Sequence, residues 1–151
     1  MSRRQHLSQA ELQGIASNCA CRRLRGAARA VTRIYDDALR PTGLRTTQFT
    51  LLVAAQLRGE ALISELADRL ALERTSLTRE LKLLEQRGLV SITPGEDRRA
   101  RLVQVTGEGK RALAAAYPRW REAQSRVLEN SDQTSWPELA GRIAALETAH
   151  S

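Results

Sequence analysis

A chain of 151 residues has room for one compact domain, or for one small domain with dimerising extensions, and its 42% of hydrophobic residues excludes wholesale disorder. Aromatic residues make up only 3%, so a core must be built from Leu, Ala, Val and Ile, a mixture that favours helices. The net charge of +7, carried mostly by arginine, fits a polyanionic partner, because guanidinium groups pair with phosphates and with guanine edges.

The sequence shows neither a membrane span nor a signal peptide. Every apolar run is shorter than the roughly 18 residues that indicate a transmembrane helix, and no apolar run follows the basic N-terminus. The two cysteines, Cys19 and Cys21, do not make a disulfide framework. We therefore expect a protein of the reducing cytoplasm without a membrane partner.

A long helix is predicted near the N-terminus. Ser8 and Glu11 have the spacing of a capping box, in which each side chain bonds the other residue's backbone. The helical pattern then continues to about Leu39, and Pro41 with Gly43 ends it. A helix of about 30 residues exceeds the usual globular length of about 11–12, so we expect it to pack against a second subunit.

Three shorter helical patterns follow the bend. Residues 47–57 are nearly all apolar and predict a buried helix, residues 62–70 are amphipathic, and residues 74–87 are strongly amphipathic. Gly88 stands where a left-handed residue commonly ends a helix.

Two short strands are predicted next. Residues 89–93 and 101–105 have strand propensity and flank a turn at 94–97, so they form an antiparallel ribbon. Arginine at a ribbon tip can enter the narrow, electronegative minor groove of DNA. The basic residues of this tip are Arg98, Arg99 and Arg101.

Two helices complete the chain. Thr106 caps a helix that runs to about Leu128 and contains Pro118, which should kink it. A second capping box at Ser135–Glu138 opens the last helix. The first and last helices each carry an apolar stripe that one subunit cannot cover, which predicts a homodimer.

The order helix, tight turn, helix and β-ribbon is that of a winged helix-turn-helix, whose second helix enters the major groove of DNA. On residues 74–87, Leu77, Leu81 and Leu84 cluster on one side. The opposite side carries side chains suited to phosphates and base edges, namely Thr75, Arg79, Lys82 and Gln86, flanked by Ser76 and Thr78.

Residues 31–113 resemble the MarR (multiple antibiotic resistance regulator) family. The matching stretches are YDDALRPTGLRTTQFTLL, LADRLALERTSLTRELKLLEQRGLV and EDRRARLVQVTGEGKRAL, of which Asp-Arg-Arg at 97–99 is the most specific part. The resemblance implies a mainly α fold with a small β-hairpin wing. Residues 44–106 would form the winged helix-turn-helix DNA-binding region, and residues 1–43 and 107–151 would supply the dimerisation helices.

The resemblance also implies a function. A homodimer of this family binds a palindromic operator in double-stranded DNA as a transcription regulator, and we expect a repressor that a small aromatic or anionic effector releases. The residues that match groove-facing, phosphate-facing or wing positions are Ser64, Thr75, Ser76, Thr78, Arg79, Lys82 and Arg99. Arg45 departs from the family, in which a capping threonine is common at this position.

Two kinds of signal remain open for such a regulator. Arg33, at the end of an arginine stripe on the first helix, and Arg45 are the candidates to bind an anionic effector. The alternative is a thiol switch or a soft-metal site at Cys19 and Cys21. Two residues apart on one helix, these cysteines would point about 200° apart, so a relaxed disulfide between them is not expected.

Other classes of function are disfavoured. The two histidines, His6 and His150, lie near the termini, and the chain lacks a Gly-rich phosphate loop, a nucleophile elbow and a paired-carboxylate motif, so we expect neither an enzyme nor a cofactor. No complete metal site is expected. A winged-helix module that binds proteins instead of DNA stays an alternative, against which the basic wing and the Arg79 and Lys82 face count.

Overall fold

Helices make up most of the chain, and three short strands form one small sheet. In the computed structural model the described residues are 6–97, 100–129 and 135–148. In chain order the elements are α1 (Gln9–Asn18), α2 (Ala20–Leu39), a short 3-10 turn (Arg40–Thr42), α3 (Thr46–Arg58), β1 (Ala61–Leu62), α4 (Ile63–Leu70), α5 (Arg74–Gln86), β2 (Val90–Pro94), β3 (Arg101–Val105), α6 (Gly107–Glu129) and α7 (Trp136–Thr148). The predicted fold class is confirmed.

The chain forms two compact units, Met1–Arg33 and Ile34–Ser151. The boundary between them falls inside α2. None of the helices in the described part of the chain has both the length and the apolar composition needed to cross a bilayer.

The first helix begins at the predicted capping box. The Ser8 N–H donates to a Glu11 carboxylate oxygen (2.8 Å), and the Glu11 N–H donates to the Ser8 hydroxyl (3.3 Å). Each bond satisfies an N–H group that the first turn of a helix would otherwise leave without a partner.

The predicted uninterrupted helix from Ser8 to Leu39 is wrong. Cys19 has an extended backbone (φ −64°, ψ 108°) and separates α1 from α2. Near this break the Arg23 guanidinium donates to the Ser17 carbonyl (2.8 Å), so a side chain bonds a carbonyl in the last turn of α1. Neither proline nor glycine marks the break, which explains why the sequence pattern does not show it.

The start of α3 is capped from outside the helix. Gly43 (φ 72°) turns the chain after α2, a left-handed conformation that suits glycine. The Thr46 N–H then donates to the Asp36 carboxylate (2.7 Å), and the Arg45 N–H donates to the Gln48 side chain (3.3 Å). A guanidinium has no acceptor, so Asp36 supplies the cap that Arg45 cannot provide.

The core of the second unit is aliphatic, as the composition predicts. Its largest fully buried side chains are Leu39, Leu51, Leu52, Leu66, Leu77, Leu81, Leu84 and Val103. The sheet has the order β1–β3–β2 with antiparallel pairing, and β2 pairs with β3 from Val90 opposite Val105 to Pro94 opposite Arg101. The strand β1 was not predicted, because two residues are too few to show a period.

The start of α6 is bonded to the segment between α5 and β2. The Thr106 N–H donates to the Leu89 carbonyl (3.1 Å), and the Thr106 hydroxyl donates to the Gly88 carbonyl (2.6 Å). The same hydroxyl accepts the Gly109 N–H (3.0 Å), which confirms Thr106 as the predicted cap. From here α6 continues through Pro118.

Candidate functional site

The helix α5 presents a polar surface on a buried apolar base. Leu77, Leu81 and Leu84 are at most 1% exposed and hold the helix against the core. The exposed residues include Thr75, Ser76, Thr78, Arg79 and Lys82. This division into a buried and a polar side agrees with the sequence pattern, while contact of the polar side with DNA stays a prediction.

The carboxyl end of α5 is fixed by one backbone hydrogen bond and one side-chain hydrogen bond. Gly88 adopts the predicted left-handed conformation (φ 70°), and the Leu89 N–H bonds back to the Leu84 carbonyl (2.9 Å). The Arg87 guanidinium donates to the Gly43 carbonyl (2.8 Å), at the turn before α3. The end of the helix is therefore tied to the scaffold that carries it.

The turn between α4 and α5 contains a left-handed residue that is not glycine. Ala71 has φ 48° and ψ 40°, and the Leu72 N–H closes the turn on the Ala67 carbonyl (3.1 Å). Ser64, the candidate contact outside α5, lies half-buried in the first turn of α4. The two helices have the predicted helix-turn-helix order.

The strands β2 and β3 form the predicted wing. The Gly95 N–H donates to the Ala100 carbonyl (2.9 Å) and continues the pairing of the strands toward the tip. Arg101 opens β3 and is exposed. The other two wing candidates, Arg98 and Arg99, lie outside the described residues.

A buried polar pair that the sequence analysis missed connects α5 to α3. The Gln48 amide donates to a Glu80 carboxylate oxygen (3.0 Å), although Gln48 is only 6% and Glu80 only 9% exposed. The other Glu80 oxygen lies 3.8 Å from the Arg79 guanidinium. The available signal was Glu80 itself, since it falls on the same side of the helical wheel as Leu77 and Leu84.

A second missed feature is a cluster of aromatic rings around a cavity. Trp120 stacks on Phe49 with ring centroids 6.2 Å apart and on Tyr117 at 6.1 Å, and Tyr35 lies 6.4 Å from it. The cavity has a volume of about 310 Å³, and its walls are Phe49, Thr50, Val53, Tyr117 and Trp120. Since the chain has only two tryptophans, two tyrosines and one phenylalanine, the rarity of these residues was a usable signal.

The aromatic cluster is anchored by Tyr35. Its hydroxyl donates to the Gln124 side chain on α6, and the residue is only 8% exposed. Burial raises the pKa of the Tyr35 phenol above its ordinary value of 10.0, because the phenolate would lose hydration. The neutral phenol therefore keeps its proton for the bond to Gln124.

The candidate effector-binding arginines and the two cysteines lie at different elements of the structure. Arg33 is exposed on α2, and Arg45 is exposed immediately before α3. Cys19 is half-buried at the helix break, Cys21 is exposed, and both thiols are free. The predicted separation of about 200° between these cysteines on one helix is wrong, because Cys19 is not helical. Within the described ranges no three His, Cys, Asp or Glu residues are grouped so that they could hold a metal ion.

Comparison with known proteins connects this architecture with a family. Residues 42–100 match the model of the MarR family. The chain is 32% identical over 84 residues to YwoH, an uncharacterised HTH-type transcriptional regulator of Bacillus subtilis (strain 168); the match covers 56% of this chain and 61% of that protein.

Solved structures with the same fold include DNA complexes. The M. tuberculosis transcriptional regulator MosR, crystallised in complex with DNA, is 41% identical with a TM-score of 0.79, and the match covers 88% of this chain and 96% of that chain. A cysteine-to-serine mutant of MarR from E. coli, complexed with operator DNA, superposes with a TM-score of 0.74 over 88% of this chain and 94% of that chain. At 21% identity the second comparison concerns the fold alone.

Proposed function

The chain belongs to the MarR family of transcription regulators, and we propose that it binds double-stranded DNA through the winged helix of its second unit. The polar side of α5 carries this proposal, since it presents Thr75, Thr78, Arg79 and Lys82 on a helix that buried leucines hold in place. The 41% identity to MosR, which was crystallised with DNA, supports it. The prediction of a transcription regulator and not an enzyme agrees with these relatives, which are transcription regulators.

The DNA contacts are tested by substitutions on α5 and on the wing. In a gel shift with the DNA upstream of the protein's own gene, Arg79→Ala should weaken binding by about 1–3 kcal/mol and relax preference at one base pair if the contact is to a base. Arg99→Ala should weaken binding with a shallower salt dependence if its contacts are to phosphate. Wild-type affinity in both folded variants would contradict the assignment, and a protein-binding module would bind no duplex at all.

We propose that the regulator is a homodimer on a palindromic operator. In the first unit Leu7, Leu12 and Ile15 are 56%, 47% and 56% exposed. In the second unit Trp136 and Leu146, on α7, are 42% and 59% exposed. Apolar side chains repeated along a helix in this way favour a partner of the same kind.

Assembly is tested by sedimentation velocity at micromolar concentration. The wild type should sediment as a dimer, and Leu12→Lys with Ile15→Lys should shift it toward a monomer, because a charge on a buried apolar interface is costly. The control is Arg22→Lys, which keeps the charge of an exposed residue on α2. A stable, folded wild-type monomer would contradict the proposal.

We further propose that the protein is a repressor and that a small aromatic acid releases it from DNA. The aromatic cavity supports this, since Phe49, Tyr117 and Trp120 offer ring faces to a planar ligand. A ligand changes operator affinity only through its differential affinity for the two states, and typical couplings of 1–3 kcal/mol correspond to about 5–150-fold weaker binding.

Effector binding can be measured at the cavity itself. In a Trp136→Phe variant Trp120 is the remaining tryptophan, so its fluorescence reports the cavity. Salicylate should change this fluorescence and release operator DNA over the same concentration range, and Val53→Phe, which adds no tryptophan, should abolish both effects by filling the cavity. Fluorescence changes without release would contradict the effector role, and cyclohexanecarboxylate serves as a non-aromatic acid control.

A second candidate signal is oxidation at Cys19. The extended backbone at this residue favours it, because a thiol at a helix break can change its neighbours' conformation when it is modified. Operator binding should then fall with hydroperoxide in the wild type and persist in a Cys19→Ser/Cys21→Ser double variant. Release of both proteins by oxidant, or of neither, would contradict the thiol switch.

A further inference from the structure

The buried carboxylate of Glu80 stands out on α5. It lies among Leu77, Leu81 and Leu84, where an apolar residue would pack without any loss of hydration. Burying a carboxylate is unfavourable unless it is bonded, and replacing both members of a buried polar pair by apolar side chains of similar shape is often neutral or stabilising. The stability of the helix therefore gives no reason for an acid at this position.

The geometry gives Glu80 a contact on each side. One carboxylate oxygen accepts the bond from the buried Gln48 amide at 3.0 Å, which fixes the carboxylate against α3. The other oxygen lies 3.8 Å from the guanidinium of Arg79, whose side chain is 76% exposed while that of Glu80 is 12% exposed. An acid held by the scaffold thus faces the exposed cation of the polar side of α5.

We propose that Glu80 is a positioning residue that orients Arg79 and thereby raises the selectivity of this helix for its operator over other DNA. The proposal rests on the proposed function, specifically on contact between Arg79 and DNA. An arginine that makes a bidentate hydrogen bond to guanine needs its planar guanidinium held in one orientation. A fixed carboxylate restricts that orientation already in the DNA-free protein.

The negative charge of Glu80 also contributes to selectivity for the operator. In water an ion pair with such an exposed partner is weak, but it strengthens when DNA displaces the water around it. The negative charge also repels phosphates on every duplex, so it weakens non-specific binding throughout. Only at the operator does the bond between the oriented Arg79 and its base offset this repulsion. Selectivity is the difference between the binding free energies for the operator and for other DNA, so it rises.

The test compares two neutralising substitutions on the same helix. Glu80→Gln keeps the shape and an oxygen to accept from Gln48, but it removes the charge that faces Arg79. Glu85→Gln is the matched control, since Glu85 is an exposed acid of α5 that accepts the Ile92 N–H (3.3 Å). Affinities are measured by fluorescence anisotropy for a duplex selected from a random pool by the wild-type protein and for a scrambled duplex of the same composition.

Glu80→Gln should bind the scrambled duplex more tightly and the selected duplex no better, so the ratio of the two affinities falls about 3- to 30-fold, within the range of couplings between contacting residues. Glu85→Gln should tighten both affinities alike and leave the ratio unchanged. If Glu80→Gln behaves like Glu85→Gln, the proposal is overturned. Glu80→Met combined with Gln48→Met, which removes both members of the buried polar pair, repeats the measurement if the glutamine variant does not fold.

A double-mutant cycle separates orientation of Arg79 from seating of the helix. In an Arg79→Ala background, Glu80→Gln should leave the affinity ratio unchanged, because the group that it orients is gone. A ratio that falls equally in that background means that Glu80 acts through packing, which overturns the inference alone. An Arg79→Ala protein with the wild-type ratio overturns the proposed DNA contact, and the inference with it.

Discussion

Replacing Gly109 by alanine should destabilise the protein, although alanine ordinarily stabilises a helix relative to glycine. Gly109 is the third residue of α6 and is buried where this helix crosses the segment before β2. A Cβ atom at this position would lie 2.1 Å from the Leu89 carbonyl oxygen and 2.7 Å from the Val105 side chain. The oxygen belongs to the backbone, so it cannot rotate away, and α6 has to move.

The size of the effect follows from three contributions. Alanine contributes up to about 1 kcal/mol in favour of the helix. Overpacking costs about 1–3 kcal/mol. Movement of α6 also weakens the two bonds from Thr106 to the carbonyls of Leu89 (3.1 Å) and Gly88 (2.6 Å), each worth about 1 kcal/mol. The net loss is about 2–4 kcal/mol, which lowers the unfolding midpoint by roughly 4–16 °C for a chain of this size.

Thermal unfolding followed by circular dichroism measures this loss. Protein concentrations must be matched, because assembly makes the midpoint depend on concentration. Gly107→Ala is the control on the same helix, since its Cβ would meet the Arg111 side chain at an ordinary 3.8 Å, and it should change stability by less than about 0.5 kcal/mol. Equal unfolding midpoints for the two variants would show that the close contact between position 109 and the Leu89 carbonyl does not destabilise the protein.

Three further predictions concern DNA affinity, turn strain and pH. Lys82→Ala should weaken binding to operator and scrambled duplexes alike and reduce the slope of affinity against salt by about 1, whereas loss of selectivity would indicate a base contact. Ala71→Gly should stabilise the protein by up to about 1 kcal/mol in urea unfolding, because glycine relieves the left-handed strain at φ 48°; a lower midpoint would contradict this. The pKa of Glu11 lies below its ordinary value of 4.5 because the Ser8 side chain and backbone bond its carboxylate, so its contribution to α1 is present above pH 4.5 and is lost as the pH falls through the lower folded value. NMR should show the amides of α1 fraying in acid in the wild type and no such transition in Glu11→Gln.

Features that depend only on residues close together in the chain were predicted from the sequence. The capping box at Ser8 and Glu11 and the left-handed Gly88 depend on bonds between residues at most five positions apart, so their residue types alone predict them. The apolar period of α5 likewise predicted which side is buried, and β3 has the predicted bounds. With the family resemblance, these elements were enough to predict a winged helix and the candidate residues of α5.

Other features depend on contacts between residues that are distant in the chain. Glu80 pairs with Gln48, 32 residues away, and Tyr35 bonds Gln124, 89 residues away. The strand β1 exists only because β3 lies beside it, and the aromatic cavity forms only where α3 meets α6. No local pattern encodes these pairings, because the same side chains in isolated segments would remain hydrated. Only the tertiary structure decides which polar groups lose water and must therefore find one another.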